Sequence, residues 1–547
     1  MLLTRNMKRT RKIFAFLIFT LPFTSVLAQD TSKKTIEITS SFKPVLRNAA
    51  KINFNATPPA SDTGRPRLQY NVPPQNVFPR LSPVAISPLS LQADSSGKWA
   101  NSNYIKLGYG NLQTPYLEAG LSVPAGSSRV DLMVDHISSN GKIENQNYAE
   151  SGVKGYFFTP LNKDVEFHAS AGFSQDKYYQ YGYDRTRYNF DKEDLLRRFS
   201  TFNVEAGIRN PAPTEFGLTY HPRLNIAVFN DNLKNGETNA KLDLPLEKFV
   251  GNSFGVRLGV VADLTRYTPS GKDAINNNLF TVPVALTFRT PNLKFNAGLT
   301  PSWDNGAFKL LPNILVDLPV AGDKWIIQAG WISYFNKGNY QRFASINPYL
   351  APPTQLKNNR MIERYVGFKG TLLDHFSYSA KAGYAEFRRV PLFVNDTASG
   401  KSFNIIFEEE LKAIQLQGEF GIVEAERFSL AARFNYYKFN AQETEDRAWG
   451  LIPLELSANL RWQILKDLWM TSDFFLWDGA LYTNKKGNEG RSPGAIDLNA
   501  GLEFKVLKNV FLWAQFNNIF NSSYQRWNQY DNYGFNMLIG GIYRFNQ

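Results

Sequence analysis

The chain has 547 residues, 43% of them hydrophobic and 14% aromatic, with no cysteine, a formal charge of +13 and a negative mean hydropathy. The missing cysteines exclude a disulfide scaffold, a thiolate metal site, a catalytic cysteine and a lipid anchor on an N-terminal cysteine, and the hydropathy excludes a helical membrane protein. Length alone allows several soluble domains or one large barrel, so the pattern along the chain has to decide.

Residues 1–28 open with Arg5, Lys8, Arg9, Arg11 and Lys12, continue with an apolar run over 13–26 and end in Val26-Leu27-Ala28 before Gln29. This order predicts a secretory signal peptide cut between Ala28 and Gln29. The apolar run is too short to span a bilayer comfortably, and Pro22 interrupts it. Cleavage removes five basic and no acidic residues, lowering the formal charge from +13 to +8. A mature charge of +8 suits anionic lipid headgroups or lipopolysaccharide, and an exported barrel has no use for nucleic acid.

Residues 29–98 read as an extended tail, periplasmic or lumenal, punctuated by Pro58-Pro59, Pro73-Pro74 and Ser82-Pro83. Residues 35–42 make one strand-like piece near its start. No later stretch approaches the ~20 apolar residues of a membrane helix, so a mature membrane protein here has to be a barrel.

From residue 99 to 547 the dominant signal is alternation with period two. Val165, Phe167, Ala169, Ala171 and Phe173 alternate with Glu166, His168, Ser170, Gly172 and Ser174. Phe254, Val256, Leu258, Val260, Ala262 and Leu264 alternate with a polar set interrupted only by Val261, and Ile496 to Val506 repeats the rhythm. Segments 202–208, 376–384, 428–436 and 454–462 follow suit. The polar sets carry mid-strand charge, Arg257, Lys381, Arg433, Arg461 and Lys505 among them, which needs water. Segments of roughly 10 residues exceed the ~5–6 of soluble sandwich strands and match strands that cross a bilayer at a tilt. The expected fold is therefore all-β: a large antiparallel transmembrane barrel of about 18 to 22 strands, apolar faces to lipid and polar faces to a wet lumen.

Short connections near 374–375, 424–427 and 507–509 alternate with long ones near 175–198, 336–358, 440–449, 478–493 and 521–531, as in outer-membrane barrels. Trp303, Trp325, Trp331, Tyr334, Trp462, Trp469 and Trp477 fall near segment ends, where aromatic belts sit.

The chain's end resembles a known family. Residues 495–504 (AIDLNAGLEF), 516–524 (FNNIFNSSY) and 540–545 (GGIYRF) are similar to the closing strands of TonB-dependent receptors, and Asn347-Pro348-Tyr349-Leu350 with 364–370 resembles an internal loop and strand of that family. The resemblance implies an outer-membrane barrel in a Gram-negative bacterium. It also implies that Tyr543 and Phe545 are read by the barrel-assembly machinery. The Ala28-Gln29 junction and the aromatic richness resemble Bacteroidetes-type proteins. Receptors of this kind hold a folded plug inside a barrel of about 22 strands, and the Pro-rich 29–98 is too short for one, so the chain resembles a plugless relative. Residues 34–38 offer at most a weak TonB-contacting box.

Chemistry is sparse. His136, His168, His221 and His375 show no ligand spacing in sequence, and no nucleophile elbow, phosphate loop or zinc-protease motif is present. Neither an enzyme nor a cofactor is expected. Glu408-Glu409-Glu410 reads as a solvated turn or strand end before a cation site. The best ligand-contact loop interleaves Tyr179, Tyr181 and Tyr183 with Arg185 and Arg187. Two functions follow: solute passage or uptake, with the lumenal cations biasing the pore toward anions, or a non-transporting scaffold subunit of an envelope complex whose tail docks on other envelope proteins.

Overall fold

A computed structural model describes residues 103–251, 253–373, 375–424, 427–484 and 489–545. The signal segment with Ala28 and Gln29, the 29–98 tail and Asn546-Gln547 lie outside the described residues.

The alternating segments become one antiparallel sheet of 24 hydrogen-bonded segments. Two of its staves are interrupted, at His221-Pro222 between Leu218–Tyr220 and Arg223–Asp231, and at Val282-Pro283 between Ile275–Thr281 and Val284–Thr290. Proline has no N–H for a ladder, so each break falls where the neighbour can still donate: Ile208 N–H to the Pro222 carbonyl at 3.1 Å and Gly259 N–H to the Pro283 carbonyl at 2.8 Å. Joining the two pairs gives 22 staves. The last, Asn536–Phe545, pairs with the first, Asn103–Gly110, in the register Ile105↔Tyr543, Leu107↔Gly541 and Tyr109↔Ile539. The sheet closes on itself and leaves no edge.

The two faces sort as the alternation demands. Along Phe254–Thr268, the side chains of Phe254, Val256, Leu258, Val260 and Leu264 are exposed on the outside, while Arg257, Asp263, Thr265 and Tyr267 turn inward. Phe254 to Leu264 covers roughly 34 Å of strand, or about 26 Å of height at a ~40° tilt, close to the ~25 Å apolar band of outer-membrane barrels. That outer set carries no charge. Water on such a surface is unfavourable at ~25 cal/mol per Å², repeated on every stave, so the outside is built for lipid.

Short turns gather at one end. Gly126 and Gly251 take φ of 65° and 64° there, the left-handed conformation that the tight reversal requires. An outward aromatic girdle rings this end: Trp325 stacks on Phe368 at 5.0 Å, Phe376 meets Phe420 at 4.8 Å, Phe254 meets Phe288 at 5.2 Å and Tyr543 meets Phe545 at 4.9 Å. Tyr109, Trp303 and Phe308 lie outward at the other end. Trp331 and Trp462 also face outward, whereas Tyr334 and Trp477 are packed in interior clusters and do not belong to either belt. Trp469 is half-buried and packs against the Phe511-Trp513 cluster.

Several boundaries move. The segment beginning at Phe376 runs on to Asn395 and pairs with Phe403–Glu424, giving strands of 20 and 22 residues that outreach the membrane. Residues 390–395 are buried on both faces, so this stretch loses alternation and its strand character is hidden in sequence. The expected 175–198 loop contracts to 180–195 because the strands Glu166–Tyr179 and Leu196–Arg209 extend into it. Only two short helices occur among the described residues, Lys192–Leu195 and Tyr340–Ile346, and neither is long enough to cross a membrane.

Replacing outward Val260 by Arg is expected to lower stability in lipid by about 2–4 kcal/mol, against less than ~1 kcal/mol for inward Val261→Arg. Urea unfolding from liposomes, followed by tryptophan fluorescence, checks the contrast.

Candidate functional site at the barrel mouth

The long loops all leave the end opposite the short turns, and they fold together. Tyr181, Tyr340, Phe343, Leu350, Phe387, Leu392, Phe393, Phe403, Trp449, Leu451, Trp527 and Tyr530 share one buried cluster. They come from loops 180–195, 337–358, 443–453 and 518–535 and from the tall hairpin around 396–402. Tyr349 stacks on Tyr530 with centroids 3.6 Å apart, Tyr181 meets Tyr530 edge-on at 4.9 Å, and Trp527 packs on Phe393 at 5.2 Å and Phe403 at 5.4 Å. At about 0.5–1.5 kcal/mol per ring pair, four such contacts exceed thermal energy several-fold. The loops are therefore held as one body.

Polar contacts show where that body lies. Loop 180–195 joins the fifth and sixth staves and loop 396–402 the fifteenth and sixteenth, ten staves away around a ring of 22. The Tyr188 hydroxyl nevertheless donates to the Ala398 carbonyl at 2.9 Å, and the Lys401 ammonium sits 4.1 Å from the Phe190 ring centroid. Gln180 Nε2 donates to the Tyr349 carbonyl at 3.2 Å, and the Tyr181 hydroxyl to the Asp531 carbonyl at 2.7 Å. Chain from nearly opposite sides of the ring meets over the mouth.

Three buried carboxylates pin the loops. Glu237 accepts from Asn339 Nδ2 at 2.9 Å and from the Tyr340 N–H at 2.6 Å, fixing the start of the Tyr340–Ile346 turn of helix. Asp231 accepts from the Tyr340 hydroxyl at 2.7 Å and pairs with Arg197 at 3.5 Å. Glu408 is fully buried and accepts the N–H groups of Glu443, Thr444 and Glu445 at 2.8, 2.9 and 2.7 Å. The run Glu408-Glu409-Glu410 is thus not a solvated turn but part of a strand. Glu409 pairs with Lys357 at 2.8 Å and Glu410 with Arg388 at 2.9 Å. Arg389 bulges out of the same hairpin at φ 57° and reaches Asp304. A left-handed arginine is strained, and its ion pair holds the bend in place. At the hairpin tip, burial pushes the Asp396 carboxyl up, but the backbone N–H groups of Ser402, Ser399 and Ala398 outweigh it and hold the group below the usual carboxylate range.

The residues singled out in sequence fall in different places. Tyr181 is buried in the loop core, and the neighbouring Gly182 leaves room for Tyr530: a Cβ at Gly182 would lie 2.5 Å from the Tyr530 ring. Tyr179 ends its strand, with Lys192 5.2 Å from its ring centroid. Tyr183 supports Arg185 at 5.5 Å, and Arg185 and Arg187 are exposed at the loop tip. Arg257, Lys381, Arg433, Arg461 and Lys505 share the inward register of their strands. Arg257 pairs with Glu247 at 2.7 Å, Arg433 with Glu419 at 2.7 Å, and Lys381 lies 4.6 Å from the Tyr365 centroid. Similar rungs, Arg209–Glu166 and Arg223–Asp243, line the same wall. Tyr543 and Phe545 face outward at the turn end of the closing strand.

Removing the Glu408 carboxylate takes a charged acceptor from the N–H groups of Glu443, Thr444 and Glu445, of which Glu443 keeps the Glu410 carbonyl at 3.1 Å, at a cost of about 1–3 kcal/mol. Glu408→Ala is expected to speed trypsin cleavage after exposed Arg447 at least tenfold while the barrel stays folded; an unchanged rate contradicts the anchoring role.

No family profile and no curated protein matches the chain. Solved structures do. The FrpB iron transporter from Neisseria meningitidis superimposes with a TM-score of 0.64 at 11% identity, covering 82% of each chain. The ferripyoverdine receptor of the outer membrane of Pseudomonas aeruginosa gives 0.61 at 11% identity, over 82% of this chain and 72% of the receptor. The siderophore receptor PirA from Acinetobacter baumannii gives 0.62 at 8% identity, over 82% and 81%. At these identities the likeness establishes the fold, and the fold is that of outer-membrane receptor barrels.

Proposed function

We propose that the chain is an outer-membrane uptake barrel, exported by its N-terminal signal segment, whose interlocked loops are the gate and the receiving surface for a solute. The observation that carries this reading is the bonding of loops ten staves apart, Tyr188 to Ala398, over the mouth. A freely open pore has no use for a loop core that several kcal/mol hold together. A gate does, because a solute that binds the separated loops better than the joined ones shifts that balance. The inner wall supports the same reading: rungs such as Arg257–Glu247 and Arg433–Glu419 present wettable polarity of both signs. Fold relatives that carry iron or bind siderophores supply the class, uptake across an outer membrane. A plugless form of the receptor plan belongs to the same proposal. Tyr543 and Phe545, outward on the last strand, are offered as the assembly signal, and Arg185 and Arg187 at the loop tip as first contacts for ligand or lipopolysaccharide.

Cysteines at Tyr188 and Ala398, in a chain with none of its own, allow the gate to be tied with bismaleimidoethane. In planar bilayers, the mature protein and a form lacking residues 29–97 are expected to show opening steps when the cysteines are capped singly, and at least tenfold fewer when they are tied. Equal conductance in both states, or none in either form, contradicts gating.

A scaffold role is favoured by a different feature. Phe216 and Leu373, in turns at the other end, are 81% and 86% exposed, well placed for an envelope partner. Purification in mild detergent tests this: a partner lost on Phe216→Ser and Leu373→Ser is expected under the scaffold reading, and recovery of the free monomer alone removes it.

A further inference from the structure

Two histidines that lie 53 positions apart in sequence meet on the inner wall near the turn end. His168 is the third residue of Glu166–Tyr179, and His221 occupies the interruption between Leu218–Tyr220 and Arg223–Asp231. Their Nε2 atoms are 3.4 Å apart and their rings cross at 66° with centroids 4.9 Å apart. The position is built for the ring. His168 pairs across the strands with Gly207, where a Cβ would come within 2.6 Å of His168 Cε1 and 2.7 Å of its Nε2. Any side chain there would push the imidazole away. The stave keeps one register across Pro222, with Thr219↔Glu247 on one side and Arg223↔Asp243 on the other, so His221 stays on the inward parity and its ring faces the same side as His168.

We propose that His168 and His221 chelate a late first-row divalent ion, Cu2+, Ni2+ or Zn2+, on the barrel's inner wall. Neutral imidazole is the side chain these ions favour. Two nitrogens bound at ~2.0–2.1 Å with a tetrahedral angle between them lie about 3.4 Å apart, which is the spacing found. The surrounding charge permits a cation. Arg209 and Arg223, the two nearby positive groups, are each ion-paired, with Glu166 at 2.7 Å and with Asp243 at 2.6 Å. Glu205, two positions from Gly207 on the same inward register, adds a carboxylate whose field acts on His168 and which has no ion-pair partner among the described residues. No three metal-ligating side chains gather among the described residues, so water completes the coordination and the ion exchanges readily, as suits a staging point on an inner wall.

Copper binding to the full-length mature chain in detergent tests the site, with Cu2+ as the probe and electron paramagnetic resonance as the readout. One equivalent is expected to bind with nitrogen couplings from two imidazoles. His168→Gln and His221→Gln each lower the affinity at least tenfold and reduce the coupling to one ring, whereas His136→Gln and His375→Gln leave both unchanged. Glu205→Gln gives a two- to fivefold loss with both rings still coordinating. Each variant is first checked for the compact barrel by its heat-dependent gel mobility; if one His variant fails that check, the other and Glu205→Gln decide. Affinities and couplings equal to wild type in the His variants, or wild-type binding no tighter than that of the double variant, overturn the proposal.

Discussion

Hydrocarbon offers no partner to a backbone N–H or C=O, and every other property of this molecule follows from that. A sheet in lipid has to close, and closure here rests on the pairing of Asn103–Gly110 with Asn536–Phe545. Once the ring is shut, residue parity alone decides which side chains meet lipid. A slip of one residue would put Arg257 and Asp263 into hydrocarbon and Val256 and Leu258 into water, at several kcal/mol per strand. Register is thus fixed by solvent on both sides, and the same fixing delivers His168 beside His221 and Arg257 beside Glu247.

Loop placement is a consequence too. Hairpin connectivity sends short turns to one end and long loops to the other, and a ring of 22 staves brings the long loops around a common opening. There they exclude water from Tyr181, Tyr349, Trp527 and Tyr530 by packing on one another. Buried carboxylates at Asp231, Glu237 and Glu408 replace the solvent that the loop backbone has lost. The mouth is consequently a folded element in its own right, attached to a rigid wall.

The wall was legible in sequence because one-sided burial writes period two into the residues, as at 254–264 and 496–506. The closing end was legible for the same reason, aided by its likeness to receptor termini. The mouth was not. Val390-Pro391-Leu392-Phe393-Val394 is buried on both sides, so it has no alternation and ends the apparent strand at 384. Glu408 looked like surface because a charge inside a strand usually needs water, whereas here three backbone N–H groups stand in for it. Tyr181 looked like a ligand contact for the same chemistry that makes it a good core residue, a flat ring with one donor. The meeting of His168 and His221 depends on cross-strand register through an interrupted stave, and spacing in sequence carries no trace of it.

The fold depends most on lipid and water occupying opposite faces of one closed sheet. With no native cysteine to interfere, single nitroxide labels can be walked along 254–265 in liposomes, comparing collision with oxygen and with a water-soluble nickel chelate. Oxygen contact should peak at 256, 258 and 260 and chelate contact at 257, 259 and 261. A profile without period two, or chelate reaching both sets alike, would contradict the barrel as described.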